Sequence, residues 1–261
     1  MIEQRVPTSN ISPARGEQEN VLNIVQAYFA EASARLAQVC DGQEGAFAAA
    51  LDAITTAIRA DGLIYIFGTG HSHMLAEEGH YRAGGLACVV PVLNSIIMLH
   101  EGAVAGSALE RTPGLADIVL SRYPIGANDV LVVASTSGVN AVPVEAARIG
   151  KARGATVIAI TSEAYSRQAA RGRKRLAEEA DIVLDNKAPP GDAVVDLGGL
   201  HSGPVSTVVG AAILNALFSA AAHRLSTTDS NSPVYMSANM EGAAEHNRRL
   251  VDRYRSRNPH L

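Results

Sequence analysis

Five short apolar runs, separated by segments with helical periodicity, constrain the fold of this chain more than any other feature. They read LIYIFG (63–68), ACVVPVL (87–93), DVLVVAS (129–135), TVIAITS (156–162) and ADIVLDN (180–186). Strands that are apolar without alternation are buried on both faces, and intervening helices supply the crossovers of a parallel sheet. The sequence therefore predicts an α/β protein in which helices cover both faces of a parallel sheet.

Helical patterns surround these strands. They cover 17–40, 44–60, 72–82, part of 103–123, 142–153, 165–178, 205–225 and 234–256, with a Gly/Pro-rich loop over 187–204. We expect three parts: a polar lead with a first helix (1–44), a central α/β domain (45–225) and a C-terminal helix after a polar break (226–261).

The overall composition excludes several classes of protein. Of 261 residues, 47% are hydrophobic and the net charge is −4, which favours a large core and gives no general attraction to nucleic acid or anionic membranes. The longest apolar stretch, 208–222, is interrupted by Asn215 and Ser219 and is shorter than a membrane span of about 20 residues. Cys40 and Cys88 show no disulfide or metal spacing. We expect a soluble cytoplasmic protein without nucleic-acid or membrane partners.

The loop after the third predicted strand has the chemistry of an anion site. Ser135, Thr136, Ser137 and Gly138 follow the strand directly, and Asn140 precedes a helix. Ligands of open parallel sheets bind beyond the carboxyl ends of the strands, where free N–H groups at helix N-termini favour anions. We interpret this loop as a site for a phosphate monoester, although a hydroxyl-rich turn with a capping Asn has the same local pattern.

Three motifs in order resemble the SIS (sugar isomerase) family of phosphosugar-binding domains. IYIFGTGHSHMLAEE is similar to the first strand and loop of phosphoheptose isomerase, STSG with AARIGKARGATVIAIT to the SIS core, and SGPVSTVVG to the isomerase domain of glucosamine-6-phosphate synthase. The resemblance implies a flavodoxin-like fold. It also implies that Ser72, Ser135, Thr136, Ser137 and Asn140 hold a sugar phosphate, with Gly70, His71, Ser206 and Thr207 as further substrate contacts.

A dinucleotide site is excluded at the first loop. The motif GTGHSH (68–73) has His73 where the dinucleotide fingerprint needs its third glycine. The second strand ends at Val92, Leu93 and Asn94 and offers no acid for a ribose.

The helix after this loop carries the candidate catalytic groups. His73, Glu77 and His80 stand at helical spacing on one face, and we expect Glu77 and His80 to form an acid/base pair. Glu78 falls on another face beside Arg82, where a salt bridge is the simpler expectation. SIS isomerases place a catalytic Glu on this helix, but about one turn further from the serine, so the choice between Glu77 and Glu78 stays open.

Two more candidates come from the resemblance. His201 stands where the synthase isomerase domain has its catalytic glutamate, and it either contacts substrate or is a loop histidine without such a role. Glu101, in LHEGA, resembles a VEGA stretch of the SIS-fold N-acetylmuramic acid 6-phosphate etherase.

We expect no metal and no cofactor. His71, His73, His80 and Glu77 could gather around a metal ion, but the HExxH pattern is absent and no fourth ligand is evident.

These features predict a dehydratase for N-acetylglucosamine 6-phosphate or a close N-acylhexosamine 6-phosphate. Glu77 would remove the C2 proton and His80 would protonate the leaving C3 hydroxyl. The alternatives are an aldose–ketose isomerase of the phosphoheptose type and a non-catalytic sugar-phosphate sensor. Apolar stripes on the flanking helices, together with SIS pairing, predict a homodimer or tetramer with shared active sites.

Overall fold

The computed structural model describes residues 15–228 and 233–261. The first fourteen residues of the predicted lead and residues 229–232 of the predicted polar break lie outside that range. Within it, five parallel strands form one sheet: β1 (Ile64–Gly68), β2 (Val89–Val92), β3 (Val130–Ala134), β4 (Thr156–Thr161) and β5 (Ile182–Asp185). All five predicted strands are confirmed.

The strand order of the sheet is β2-β1-β3-β4-β5. This is the order of flavodoxin-like sheets, in which the ligand crevice opens between β1 and β3, where the connections change direction. The register pairs Ile64 with Val130 and Gly68 with Ala134, so β1 and β3 end level with each other. The loops that follow these two strands therefore begin side by side.

Ten α-helices accompany the sheet within the described ranges. They are α1 (Arg15–Cys40), α2 (Glu44–Arg59), α3 (Met74–Gly79), α4 (Ala103–Leu109), α5 (Leu115–Leu120), α6 (Ala141–Ala152), α7 (Glu163–Ala170), α8 (Leu176–Glu179), α9 (Ser206–Thr228) and α10 (Ala243–Tyr254). Helices α2, α3 and α9 pack together on one face, and α5, α6 and α8 pack on the other. The expected fold class, with additional helices at both ends, is confirmed.

Pro91 is accommodated because β2 is an edge strand. Its Cα partner is Ile66 of β1, and the other side of β2 has no neighbouring strand in the sheet. A residue without an N–H can stand in an edge strand without removing a hydrogen bond from the centre of a sheet.

Helix α9 begins one residue later and ends three residues later than predicted, and it is apolar, as expected. Residues Ser206–Thr227 reach a mean hydropathy of 1.4, enough by length and composition to cross a membrane. However, Val209, Leu214 and Phe218 are buried in the core that α9 shares with α2 and α3. Here α9 packs as the central helix of one face of a globular fold.

Four predicted segments differ from the structure. The helix expected over 72–82 is a 3₁₀ turn (Gly70–His73) followed by α3, which ends at Gly79. The helix expected over 165–178 is split into α7 and α8, because Arg171 and Gly172 both have positive φ. The predicted loop 187–204 contains an antiparallel hairpin of β6 (Ala193–Asp196) and β7 (His201–Pro204), and the last helix, expected from 234, begins at Ala243.

Candidate functional site

A narrow pocket lies at the carboxyl ends of β1 and β3. It is lined by Ser72, Leu75, Ala134, Ser135, Thr136, Ile160, Asn186, Ser206 and Thr207. We call it the hydroxyl pocket, because five of these residues carry hydroxyl groups and none is charged. All five hydroxyl residues were predicted as substrate contacts, and they come from three separate loops that the fold brings together.

Two glycines allow the loops to close over the strand ends. Gly68 ends β1, and a Cβ there would clash with the backbone carbonyl of Ser72 as the 3₁₀ turn folds back. Gly138 has a φ of +58°, and a Cβ there would lie 2.6 Å from Thr161 Oγ1. The Gly138 N–H is turned toward Ser135 and donates to its Oγ at 3.2 Å. Both positions therefore require glycine for steric reasons.

The start of α9 is held by an acid from the loop before β6. Asp192 accepts hydrogen bonds from the backbone N–H and the hydroxyl of Ser206, at 2.8 and 2.6 Å. Asp192 itself has a φ of +69°. This carboxylate caps the helix and places the 206–207 segment against the hydroxyl pocket.

Asn186 is a pocket residue that the sequence reasoning missed. It follows β5 directly, is 2% exposed, and its Oδ1 accepts a hydrogen bond from the Ala188 N–H at 3.1 Å. The rule that sheet ligands bind beyond strand ends could have found it, since it is the first polar residue after ADIVLD with an amide side chain.

Asn140 does not line the hydroxyl pocket. Its amide donates to Glu110 Oε1 at 2.8 Å, and Glu110 Oε2 accepts from the hydroxyl of Thr69 at 2.7 Å. Glu110 thus joins the loop after β1 to the loop after β3. Ser137 is half-buried and is also absent from the pocket wall. The Glu110 carboxylate holds the Asn140 amide here, and contact of Asn140 and Ser137 with the anion stays a prediction.

A second group of polar side chains stands beside the first loop. His73 is 3% exposed, and its Nε2 lies 3.6 Å from Glu77 Oε1. The ring of His100, from the loop after β2, packs edge-on against His73 at 5.5 Å between centroids. One ligand atom from each of the three residues lies within 4.8 Å of the other two. We call them the His73 cluster.

The predicted pairing of Glu77 with His80 is wrong. Helix α3 ends at Gly79, His80 is extended (φ −95°, ψ 135°), and Tyr81 has a positive φ. His80 Nε2 lies instead 3.3 Å from the backbone oxygen of His260. Burial lowers the pKa of His80. The chain end thus engages His80, and Glu77 faces His73.

Glu78 has partners of its own. It pairs with Arg82, as expected, and accepts a hydrogen bond from the Asn215 amide of α9 at 2.8 Å. Glu78 thereby ties α3 to α9, whereas Glu77 is an exposed side chain beside the first loop.

The remaining candidates are exposed and lie outside the hydroxyl pocket. His71 is in the 3₁₀ turn, Glu101 follows His100, and His201 begins β7, where it pairs with Asp196. Gly70 (φ +53°) contributes its carbonyl, which contacts Nδ1 of His73.

Comparison with known proteins identifies a matching family and closely similar relatives. The chain matches the SIS domain family over residues 27–162. A UPF0309 protein of Brucella canis is 54% identical over 240 residues, which cover 91% of this chain and 99% of that protein. A UPF0309 protein of Brucella abortus strain S19 is 53% identical over the same length and coverage.

A solved structure agrees in fold. A phosphoheptose isomerase from Francisella tularensis superposes with a TM-score of 0.53 at 18% identity, over 77% of this chain and 97% of that one. The phosphoheptose isomerase of Neisseria gonorrhoeae gives 0.49 at 21% identity, over 76% of this chain and 98% of that one. The strand order, the position of the hydroxyl pocket and the sequence matches lead to one conclusion: the chain belongs to the SIS domain family and, among its members, to the UPF0309 proteins.

Proposed function

We propose that the hydroxyl pocket binds the phosphate of a sugar phosphate. The observation that supports this most is the meeting of Ser72, Ser135, Thr136, Ser206 and Thr207 at the level ends of β1 and β3. Hydroxyl groups and the free N–H groups at a helix N-terminus can hold a phosphate without a lysine, because helix N-termini bind anions.

We further propose Glu77 as the base that removes the C2 proton. It stands five residues after Ser72, which lines the hydroxyl pocket, and its side chain is exposed. Glu78 is the less suitable candidate, because Arg82 and Asn215 occupy its carboxylate.

The proposed substrate is N-acetylglucosamine 6-phosphate or a close N-acylhexosamine 6-phosphate, in its open-chain form. The C2–H bond next to the aldehyde breaks and its proton passes to Glu77. The C2=C3 double bond forms, and the C3 hydroxyl leaves as water after receiving a proton. We propose that His100, which belongs to the same cluster as Glu77, gives that proton in place of His80. An acetamido group at C2 closes the simple ketose route, which favours elimination.

The experiment is incubation of the protein with N-acetylglucosamine 6-phosphate in deuterated water, followed by mass spectrometry. We expect a product that has lost water. Glucose 6-phosphate is incubated in parallel. Its conversion to a ketose of unchanged formula, with deuterium at C1, would identify an isomerase instead. Tight calorimetric binding of either sugar without turnover would identify a sensor, and no binding of either would overturn the site.

A matched pair of variants tests the assignment of the base. Glu77→Gln should lower kcat by about a hundredfold or more while the sugar phosphate still binds. Glu78→Gln should mainly lower stability, since it weakens the link from α3 to α9. The reverse pattern would assign the base to Glu78.

We also propose that two copies of the chain pair through α1 and the β6–β7 hairpin. Phe29 and Leu22 on α1 are 65% and 60% exposed, and Leu200 at the hairpin tip is 77% exposed. The two elements are already joined, since the Tyr28 hydroxyl donates to the Pro204 carbonyl at 3.0 Å. A second copy that covers this surface would bury the apolar side chains and enclose His201 near the interface.

A further inference from the structure

A second cleft lies at the opposite end of the sheet from the hydroxyl pocket, where β1 and β3 begin. Its walls are the turn before β1 (61–63), the loop before β3 (124–129), Tyr65 of β1 and Arg257 near the chain end. We call it the amino-end cleft. Its volume is about 340 Å³, and small-molecule sites have volumes of about 300–1,000 Å³, so it has room for a small ligand.

Tyr65 brings an unpaired hydroxyl group to this cleft. Its side chain is 1% exposed, and its ring packs edge-on against Tyr123 at 6.2 Å between centroids. Within the described residues, the Tyr65 hydroxyl has no hydrogen-bond partner. Burial raises its pKa, as does the carboxylate of Asp129, so the group stays protonated and needs an acceptor. A buried donor without a partner is unfavourable, and a bound acceptor would satisfy it.

The charged groups around the cleft balance one another. Asp61 Oδ1 accepts hydrogen bonds from Arg253 at 3.0 Å and from Arg257 at 3.2 Å. Both oxygens of Asp129 accept from backbone N–H groups, at 2.7 and 2.8 Å. Two acids and two arginines leave no net charge. The amino-end cleft therefore favours a neutral ligand over an anion or a cation.

Three side chains have hydrogen-bonding capacity left for a ligand. The Tyr65 hydroxyl can donate, and Oδ2 of Asp61, on a side chain that is 61% exposed, can accept. Arg257 uses Nη1 and Nη2 to donate to Asp61 and has further N–H groups. Because a hydroxyl group both donates and accepts, several hydroxyls on one neutral ring can satisfy all three side chains.

We propose that the amino-end cleft binds a neutral, polyhydroxylated small molecule of the monosaccharide class, with Tyr65, Arg257 and Asp61 as its polar contacts. One ligand hydroxyl would accept from Tyr65, a second would accept from Arg257, and a third would donate to Asp61 Oδ2. This site is independent of phosphate binding and of the chemistry at the hydroxyl pocket, because the two lie at opposite ends of β1 and β3.

The chain end connects the cleft with the other end of the sheet. Arg257 stands three residues before His260, whose backbone oxygen lies 3.3 Å from Nε2 of His80. Between them, Asn258 donates to the carbonyl of Val89 in β2 at 3.1 Å. Since His80 follows α3 directly, a ligand on Arg257 would stabilise the segment that reaches this helix. The cleft therefore suits an effector, not the substrate.

The binding test uses N-acetylglucosamine and glucose, two uncharged sugars, with the full chain. Calorimetry should show binding, and Tyr65→Phe should weaken it by about fivefold to tenfold, because the ring stays and only the donor is lost. Tyr254→Phe is the matched control, since Tyr254 is also 1% exposed and does not line the cleft. Absence of binding of both sugars, equal affinity in Tyr65→Phe and the unmodified chain, or displacement of the sugar by inorganic phosphate would overturn the proposal.

The stability of Tyr65→Phe separates a ligand contact from a structural role. Without sugar, this variant should unfold at the same temperature as the unmodified chain or higher, because removal of an unpaired hydroxyl breaks no hydrogen bond. Sugar should raise the unfolding midpoint of the unmodified chain more than that of the variant. A variant that is less stable without sugar would show a structural partner for the hydroxyl and would overturn its assignment to a ligand.

Hydrogen exchange locates the bound sugar and keeps this result distinct from the proposed function. N-acetylglucosamine should slow amide exchange in 61–65, 124–129 and 255–261, and Ser135→Ala should bind it like the unmodified chain. Protection confined to 135–140 would assign the sugar to the hydroxyl pocket and reject this inference alone. Protection of the amino-end cleft, in a chain that fails to bind N-acetylglucosamine 6-phosphate at 135–140, would support this inference and reject the proposed function.

Discussion

Glu110 accepts a hydrogen bond from the side-chain amide of Asn140, with 2.8 Å between Oε1 and Nδ2. The other oxygen of the same carboxylate accepts from Thr69, so one acid fixes the spacing of the loops after β1 and β3. A hydrogen bond to an ionised group contributes more than one between neutral groups, about 1.5–3 kcal/mol. Glu110 is therefore a positioning residue for the hydroxyl pocket.

Glu110→Gln should loosen this connection. A glutamine is neutral: its one oxygen could accept from Asn140 and its NH₂ group could only donate to the Thr69 hydroxyl, so both hydrogen bonds would lose their ionised partner. We expect a loss of about 1–3 kcal/mol in the free energy of unfolding and weaker binding of sugar phosphate. Urea unfolding and calorimetry would measure both. Glu241→Gln, an exposed acid, is the control, and equal behaviour of the two variants would show that the connection is unimportant.

Gly138→Ala should disrupt the hydroxyl pocket. The substitution combines an unfavourable positive φ with a Cβ 2.6 Å from Thr161 Oγ1. Gly172→Ala is the matched control, because it has a φ of +81° with open space around the added carbon. We expect Gly138→Ala to be less stable than Gly172→Ala by about 1–3 kcal/mol, from overpacking alone. Similar unfolding midpoints would contradict the close approach.

The chain end should make stability depend on pH. Burial lowers the pKa of both His80 and His260, and Arg122 lowers the pKa of His260 further. The folded state therefore favours the neutral rings, and the unfolded chain binds protons more readily. This contribution is complete above the ordinary histidine pKa of 6.5 and is lost as the pH falls below it.

Thermal unfolding across neutral to mildly acidic pH would show this dependence. The double variant His80→Asn with His260→Gln should flatten the acid side of the curve, because neither replacement titrates. His71→Gln, which removes an exposed histidine, should leave the curve unchanged. If the double variant keeps the full acid-side slope, other groups are responsible for it.

Phe29→Glu should separate the proposed copies of the chain. A buried carboxylate in an apolar interface is costly, so light scattering after size exclusion should show a smaller particle than for the unmodified chain. Ile118→Glu is the control, since Ile118 on α5 is 68% exposed, close to the 65% of Phe29. An unmodified chain that is already monomeric, or an unchanged oligomer in Phe29→Glu, would reject this interface.

The strands and the position of the hydroxyl-rich loop after β3 could be predicted because their signals are local. Runs such as VLVVA and VIAI are apolar at every position, and this pattern persists wherever both faces of a strand are buried. Likewise, Ser135 and Thr136 follow their strand directly, so the edge of the sheet at which they lie follows from the direction of the chain.

The partners of the candidate catalytic residues follow less well from the sequence, because helical spacing does not hold beyond Gly79. Glu77 and His80 share a face if the helix continues to Arg82, but it ends at Gly79. A Cβ at Gly79 would meet Ile66 of β1 and Leu214 of α9, so the tight contact of α3 with its neighbours is a tertiary feature. Gly79 is a local helix-stop signal, but the packing that requires it is visible only in the tertiary structure.

The sequence by itself therefore determined the strand pattern, the family and the hydroxyl groups of the pocket, because each of these depends on neighbours along the chain. The tertiary structure alone decided the partners: Asn140 with Glu110, His73 with His100, and His80 with the chain end. These contacts join segments that are far apart in the chain. Which partner each polar group finds is therefore decided only when packing has fixed which groups face each other.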